Sequence, residues 1–260
     1  MAYICQKIEL LQKSHIYHWI QETGFRRLRD YFYLFSLLPT PHTPHPTPHS
    51  PHPTPHTPHP TPCSLPRSMA KIQLKTPKSE HLAAMVALDR TSLGGIWTLS
   101  GYQRELDSPN SELLILTLDR DSETLIGLAC FWAILEEAHI TLLAIYPDYQ
   151  RQGLGKLLLY KLLEKAVQRQ LERATLEVRV SNQSAIALYE HFGFRIAGER
   201  KNYYPQTGES ALIFWRNDLQ TAAFQEQLSK WRQEILSRLV RGKWQLEEET
   251  RAKIDTMGMQ

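Results

Sequence analysis

The run Gln150-Arg151-Gln152-Gly153-Leu154-Gly155-Lys156 places two glycines and two cations between an apolar strand, ending near Pro147, and an apolar helix. The first turn of a helix has backbone N–H groups without intrahelical acceptors and carries a partial positive charge, so it attracts phosphate oxygens. Glycines at 153 and 155 let the backbone approach such oxygens with no Cβ in the way. Arg151 and Lys156 add positive charge. Two standard phosphate loops are excluded. Leu157 follows Lys156 where a P-loop requires Ser or Thr, and the dinucleotide fingerprint G-x-G-x-x-G is absent. The same strand–turn–helix also serves as an ordinary βα connection.

The elements that must position this loop are read from periodicity. Lys71–Lys75 alternates as a strand. Pro77 and Ser79 open a helix with Leu82, Met85, Val86 and Leu88 on one face, and Leu99–Leu106 forms a second short helix. Strands follow at 112–118, 125–134 and 138–146, with Asp119–Thr124 as a charged turn and Glu136-Glu137 as a hairpin turn. A helix over 155–169, a strand over 174–180, a helix over 185–192 and strands over 194–204 and 211–215 complete the body; Pro205–Gly208 joins the last two. This order predicts an α/β (α+β mixed) fold, with a mixed central sheet of about six to seven strands and helices on both faces. Phe224, Leu228, Trp231, Ile235 and Leu239 recur at helical spacing and predict an amphipathic C-terminal helix ending near Gly242, and the last dozen residues are polar and expected to fray. Whether that helix packs on the body or serves a partner is left open by its spacing.

The chain divides into residues 1–68, a body over 69–219 and a helical tail over 220–260. Residues 39–62 repeat Thr-Pro-His-Thr-Pro-His-Pro and hold 6 of the 11 histidines. Such a stretch forms no core and reads as an extended spacer. Its histidines could bind a transition metal weakly, yet no metal site is expected. The DNA unit ACCCCAC, read through all three frames, encodes Thr-Pro-His-Pro-Thr-Pro-His, the same repeat in another phase. Residues 1–68 are therefore expected to be an over-called upstream extension, with Met69 as the native start; peptides from before Met69 in the endogenous protein would refute this.

The body carries 17 Lys+Arg against 18 Asp+Glu, so it lacks the charge of a nucleic-acid binder. No apolar run reaches the length of a membrane helix, and no membrane partner is expected. Cys5, Cys63 and Cys130 form no paired framework, which predicts a reducing compartment.

The pattern Q/R-x-x-G-x-G after such a strand resembles motif A of the GNAT acetyltransferases. Glu177-Val-Arg-Val-Ser-Asn182, Ala185-Ile-Ala-Leu-Tyr189-Glu-His-Phe-Gly-Phe194 and Arg200-Lys-Asn-Tyr-Tyr-Pro205 follow in the order and spacing of the ribosomal-protein-alanine (RimI) type. The resemblance covers roughly 69–217. It is strong over 137–205, weak over 69–112, and does not reach 1–68 or the tail.

The resemblance implies an N-acetyltransferase that uses acetyl-CoA and no metal, and a cytoplasmic location. Its partner would be the N-terminus of a small-subunit ribosomal protein, acetylated on alanine. Leu143, Ala144 and Ile145 would pair with the pantetheine arm where their strand splays from its neighbour. Arg151, Gln152, Gly153, Leu154, Gly155 and Lys156 would cradle the pyrophosphate. Asn182 would bond the cofactor; by residue type it is equally a helix N-cap. Glu177 would be the general base and Tyr189 the general acid. Taken alone, Glu177 also reads as a solvated glutamate and Tyr189 as core. A backbone N–H near Ile145 would serve as oxyanion donor. Gly94–Ser100 stands where relatives contact the peptide, with only a loose Trp-x-x-Ser echo at Trp97-Thr-Leu-Ser100. Tyr203 and Tyr204 match the family's paired tyrosines beside the acceptor, or pack as ordinary hairpin aromatics. Cys130 reads as core. Two rivals remain: a GNAT acting on lysine side chains or small amines, and a catalytically silent CoA-binding module.

Overall fold

A computed structural model of the protein describes residues 69–119, 124–204 and 207–248. The expectations for residues 1–68, for the centre of the charged turn at 120–123, for Pro205-Gln206 and for the chain end after 248 lie outside the described residues.

The chain forms β1 (Ala70–Lys75), α1 (Leu82–Leu93), α2 (Leu99–Asp107), β2 (Ser111–Asp119), β3 (Thr124–Ile134), β4 (Glu137–Ile145), α3 (Leu154–Gln168), β5 (Arg173–Arg179), α4 (Gln183–His191), β6 (Arg195–Tyr204), β7 (Glu209–Arg216), α5 (Ala222–Arg241) and β8 (Trp244–Glu248). Local chemistry sets several of these ends. Thr98 and Thr221 cap α2 and α5 by accepting from the N–H of Gly101 and Phe224. Gly94 leaves α1 in the left-handed conformation at φ 85°.

One eight-stranded mixed sheet runs in the order β6-β7-β5-β4-β3-β2-β1-β8. The α/β class and the helices on both faces match the expectation. One apolar layer joins α3, α4 and α5 to one face, with Leu158, Leu162, Phe192 and Trp231 at its heart. The other joins α1 and α2 to the opposite face through Met85, Leu88 and Tyr102. At the centre of the first layer α3 sits close on β3. A Cβ at Gly127 would stand 2.9 Å from Ile145 Cδ1 and 3.0 Å from Leu158 Cδ1, so a larger residue there would have to displace these side-chain ends.

One expectation is corrected. The β3–β4 turn is made by Leu135 and Glu136, with Leu135 at φ 56°, whereas Glu137 is a buried residue of β4. The chain after Gly242 carries one more strand, which sequence reasoning did not place. Trp244–Glu248 adds a parallel strand beside β1, with Trp244 facing Ala70 in the register. The tail helix packs on the body: Phe224, Leu228, Trp231, Ile235 and Leu239, all on its apolar stripe, are buried in the same core as α3. No helix among the described residues is long and apolar enough to cross a membrane.

Candidate active site

The site is a fork in the sheet. β4 and β5 pair in parallel only at Glu137↔Arg173, Ala138↔Ala174 and His139↔Thr175. Beyond these pairs β4 stays with β3, through a bulge opposite Cys130 and Phe131, while β5 continues along β7. The antiparallel ladder then decides which peptide groups face the gap. Tyr146 N–H bonds Ile126 O, and bonded residues alternate along the strand, so the peptide groups of Leu142 and Ala144 turn to β3. Those of Leu143 and Ile145 turn to the gap. The expected trio is thus divided, with Ala144 held by the sheet. Ile145 O is already taken by Gln150 Nε2 at 3.0 Å and Ser92 Oγ at 3.4 Å.

At the open end of the fork lies the glycine loop. A short 3-10 turn, Pro147–Tyr149, leads into it, and the backbone takes positive φ at Arg151 (62°) and Gly153 (92°) before α3 begins. The first helical bond runs from Leu157 N–H to Gly153 O, and among the described residues the amides of Arg151 to Lys156 have no acceptor. They form a concave donor set suited to an anion with several oxygens.

Neighbours complete this rim. Lys156 Nζ lies 2.8 Å from Glu234 Oε1 and 3.1 Å from His191 Nε2. Arg238 Nη2 donates to Arg151 O at 3.2 Å. Both Glu234 and Arg238 come from α5, so the tail helix borders the loop. α4 borders it too, since a Cβ on Gly155 would meet Leu188 Cδ2 at 3.8 Å.

At the closed end stands Glu177, two residues past the last β4–β5 pair. Its side chain is only 10% exposed, which rules out the solvated reading. Oε1 lies 3.2 Å from Arg200 Nη2 and Oε2 lies 3.4 Å from His139 Nε2. His139 Nδ1 lies 2.9 Å from Thr175 Oγ1, and Thr175 donates to Glu137 Oε1 at 2.7 Å. Trp132 stacks on His139 at 6.1 Å, and Trp97 stacks on Trp132 at 6.2 Å. The backbone N–H groups of Ile96 and Trp97 are tied to the buried Asp89 carboxylate at 2.9 and 2.8 Å. The Gly94–Ser100 segment is thereby fixed against the fork and gives it an aromatic wall.

Tyr189, on α4, is buried between Phe194 and Phe214, and burial pushes its phenol up. The ring is core, as its apolar surroundings predicted, yet its hydroxyl has no hydrogen-bond partner among the described residues. Tyr203 and Tyr204 stand ring to ring at 5.1 Å. Burial, and then the Glu177 charge, raise the Tyr203 phenol, while Tyr204 lies close enough to Tyr189 to act on its charge. Arg179 lies over the Tyr204 ring at 3.6 Å.

Asn182 caps α4: its Oδ1 accepts from Ala185 N–H at 3.2 Å and from Ser184 Oγ at 3.1 Å. Its Nδ2 has no acceptor among the described residues and remains available as a donor. Cys130 is buried in β3 beside Ser111 Oγ at 3.2 Å, with its thiol pushed up by burial, as a core cysteine should be. Among the described residues no cluster of three His, Cys, Asp or Glu could hold a metal ion.

Sequence reasoning missed His139, Thr175, Trp132 and the burial of Glu137. The signal was present as alternation. Glu137, His139 and Thr141 recur at every second position of β4, and Thr175 and Glu177 do so on β5, against apolar neighbours such as Ala138, Ile140, Leu176 and Val178. A polar side chain at each second position of a central strand marks a polar face inside the sheet.

Comparison with known proteins accords with this geometry. The acetyltransferase (GNAT) family profile matches residues 82–194. A putative [ribosomal protein bS18]-alanine N-acetyltransferase of Bacillus subtilis is 34% identical over 146 residues, covering 56% of this chain and 95% of that protein. The [ribosomal protein bS18]-alanine N-acetyltransferase of Escherichia coli is 50% identical over 82 residues, but that alignment spans 31% of this chain and 55% of the relative. The crystal structure of the ribosomal-protein-S18-alanine N-acetyltransferase from Escherichia coli superposes with a TM-score of 0.52 at 31% identity, covering 58% of this chain and 96% of that one.

Proposed function

Since this chain belongs to the GNAT acetyltransferase family, we propose that the N-terminal alanine of a small-subunit ribosomal protein of the bS18 kind is the α-amine it acetylates with acetyl-CoA. The observation that carries the reading is the fork, with a nearly buried carboxylate just past its closed end and a row of unpartnered amides at its mouth. A cytoplasmic setting goes with such a substrate.

The donor set suits a diphosphate. The amides of Arg151 to Lys156 and the exposed Arg151 would hold it, the gap-facing peptide groups of Leu143 would align the pantetheine, and Asn182 Nδ2 would add a donor. Acetyl-CoA supplies the acetyl group as a thioester.

Glu177 removes the proton that prevents an ammonium from attacking, directly or through one water. An α-amine titrates at about 7.7–8, against about 10.4 for lysine, so a carboxylate base is sufficient for an N-terminus. Tyr189 donates its phenolic proton to the departing sulfur. The N–H of Ile145 points into the gap, where negative charge collects on the carbonyl oxygen. The buried, raised Cys130 thiol offers no nucleophile, which favours direct transfer.

The test is acetylation of an alanine-starting bS18-type peptide, the same peptide with its amine blocked, and free lysine. Activity on the first alone is expected. Acetylation of the blocked peptide on lysine would overturn the substrate assignment, and no heat with acetyl-CoA in calorimetry would overturn the site.

The loop can be tested separately. Gly153 sits at φ 92°, and a Cβ there would stand 2.9 Å from Arg238 Cδ and Nε. Gly153→Val should therefore strain or reshape the loop by about 1–3 kcal/mol. Titration calorimetry should show acetyl-CoA affinity about 10-fold weaker or worse. Unchanged affinity would remove these amides from the cofactor site.

A further inference from the structure

The geometry points to His139 as a positioning residue that shares the proton Glu177 removes, held in one tautomer by Thr175 and the buried Glu137. This rests on the reading of Glu177 as base.

Thr175 has one hydroxyl hydrogen, and it goes to Glu137 Oε1 at 2.7 Å. Against His139 Nδ1, at 2.9 Å, Thr175 Oγ1 is therefore an acceptor, and Nδ1 carries a hydrogen. In the neutral ring Nε2 then presents a lone pair to Glu177 Oε2 at 3.4 Å. Two lone pairs repel at that distance, and one proton between them turns repulsion into a hydrogen bond. The pair is thus built to hold one proton more than two separate groups would. A proton taken from the amine by Glu177 passes to Nε2, leaving a carboxylate beside an imidazolium. Nδ1–H, Thr175 and Glu137 stabilise that cation from behind, as an acceptor on the far nitrogen does for any histidine that takes a proton.

The charges around the ring are consistent with this. Glu137 lies 3.8 Å from Nδ1, and Arg173 Nε faces the other Glu137 oxygen at 3.9 Å. Arg173 is itself paired with Glu136. Arg200 and the Tyr203 phenol stand on the Glu177 side. On the β3 side the neighbour is the uncharged Trp132, whose Nε1 donates to Glu105 at 2.6 Å. Ring stacking and the Thr175 bond fix the imidazole plane, so Nε2 is aimed at Glu177.

The experiment is a pH profile of kcat/KM on the full chain, with the alanine-starting peptide as acceptor. The wild type should show an acid limb belonging to the Glu177–His139 pair. Thr175→Val keeps the side-chain shape and removes the hydroxyl. The acid limb should move down by about half a pH unit or more, because the imidazolium loses its support. Thr175→Ser should restore the position of the limb. His139→Phe retains a ring against Trp132 but has no Nε2, and should lower kcat about tenfold at neutral pH while changing peptide KM little.

Glu177→Gln separates the two ideas. If it remains active, the base assignment itself fails. If Glu177→Gln is dead while Thr175→Val and His139→Phe keep the wild-type profile, Glu177 stands and the sharing of its proton is wrong. Thermal melts of each variant identify any that fail to fold, and the Val/Ser comparison at position 175 still decides the question.

Discussion

Tyr189→Phe should lower turnover by about 100-fold or more, with acetyl-CoA affinity within a few fold of wild type. The substitution is clean because the ring already lies among Phe194 and Phe214, where a phenylalanine fits without a cavity. The hydroxyl has no partner among the described residues, so its removal orphans no other group. Burial raises the phenol, which means the neutral, proton-donating form is favoured. The donor is thus present across neutral and moderately alkaline pH, and the variant's deficit should be constant there. Thiol release measured with a chromogenic reagent gives turnover, and calorimetry gives affinity. Equal turnover would remove the general-acid role. A proportional fall in affinity would instead place the hydroxyl in binding.

Removal of residues 220–260 should cost the body its fold. Phe224, Leu228, Trp231, Ile235, Leu239 and Trp244 are buried in the same apolar layer as α3. Fully burying side chains of this size contributes about 1.5–3 kcal/mol each, so their joint loss is about 10 kcal/mol, comparable with the whole stability of a domain. The 69–219 fragment is expected to lose near-UV ellipticity and to aggregate. Trp231→Ala offers a graded version. Trp231 packs on Phe192 at 4.7 Å and on Phe224 at 5.9 Å, and its truncation should cost about 3–5 kcal/mol by urea unfolding. A fragment that unfolds cooperatively at wild-type denaturant concentration would show the tail to be an appendage.

How much of this was legible depends on the range of each signal. The strands and helices of the body follow from local periodicity, and the stripe on α5 at steps of four, three, four and four became the buried face of a packed helix. The glycine loop was legible because a positive φ at position 153 calls for glycine. The β3–β4 turn was not, because Leu135 takes φ 56° without being glycine or asparagine, and a Glu-Glu pair reads as solvated. Burial of Glu137 depends on Thr175, 38 positions along the chain. β8 was missed for the same reason: Trp244-Gln-Leu-Glu-Glu248 is a short, half-polar run whose partner, β1, lies at the other end of the domain. The fork could be expected only from family resemblance, since where two strands stop pairing is a property of neither strand alone.

The pairing of β8 with β1 also bears on behaviour in concentrated solution. Without it β1 would end the sheet as a six-residue ladder of open N–H and C=O groups, a template for another copy to continue. The chain instead seals that margin with β8, the last strand among the described residues, and leaves five residues outermost. A strand this short offers little to extend, and Lys71 and Gln73 of β1 hold Glu247 of β8 at 3.0 and 3.3 Å, so this side of the molecule is guarded against strand-to-strand polymerisation.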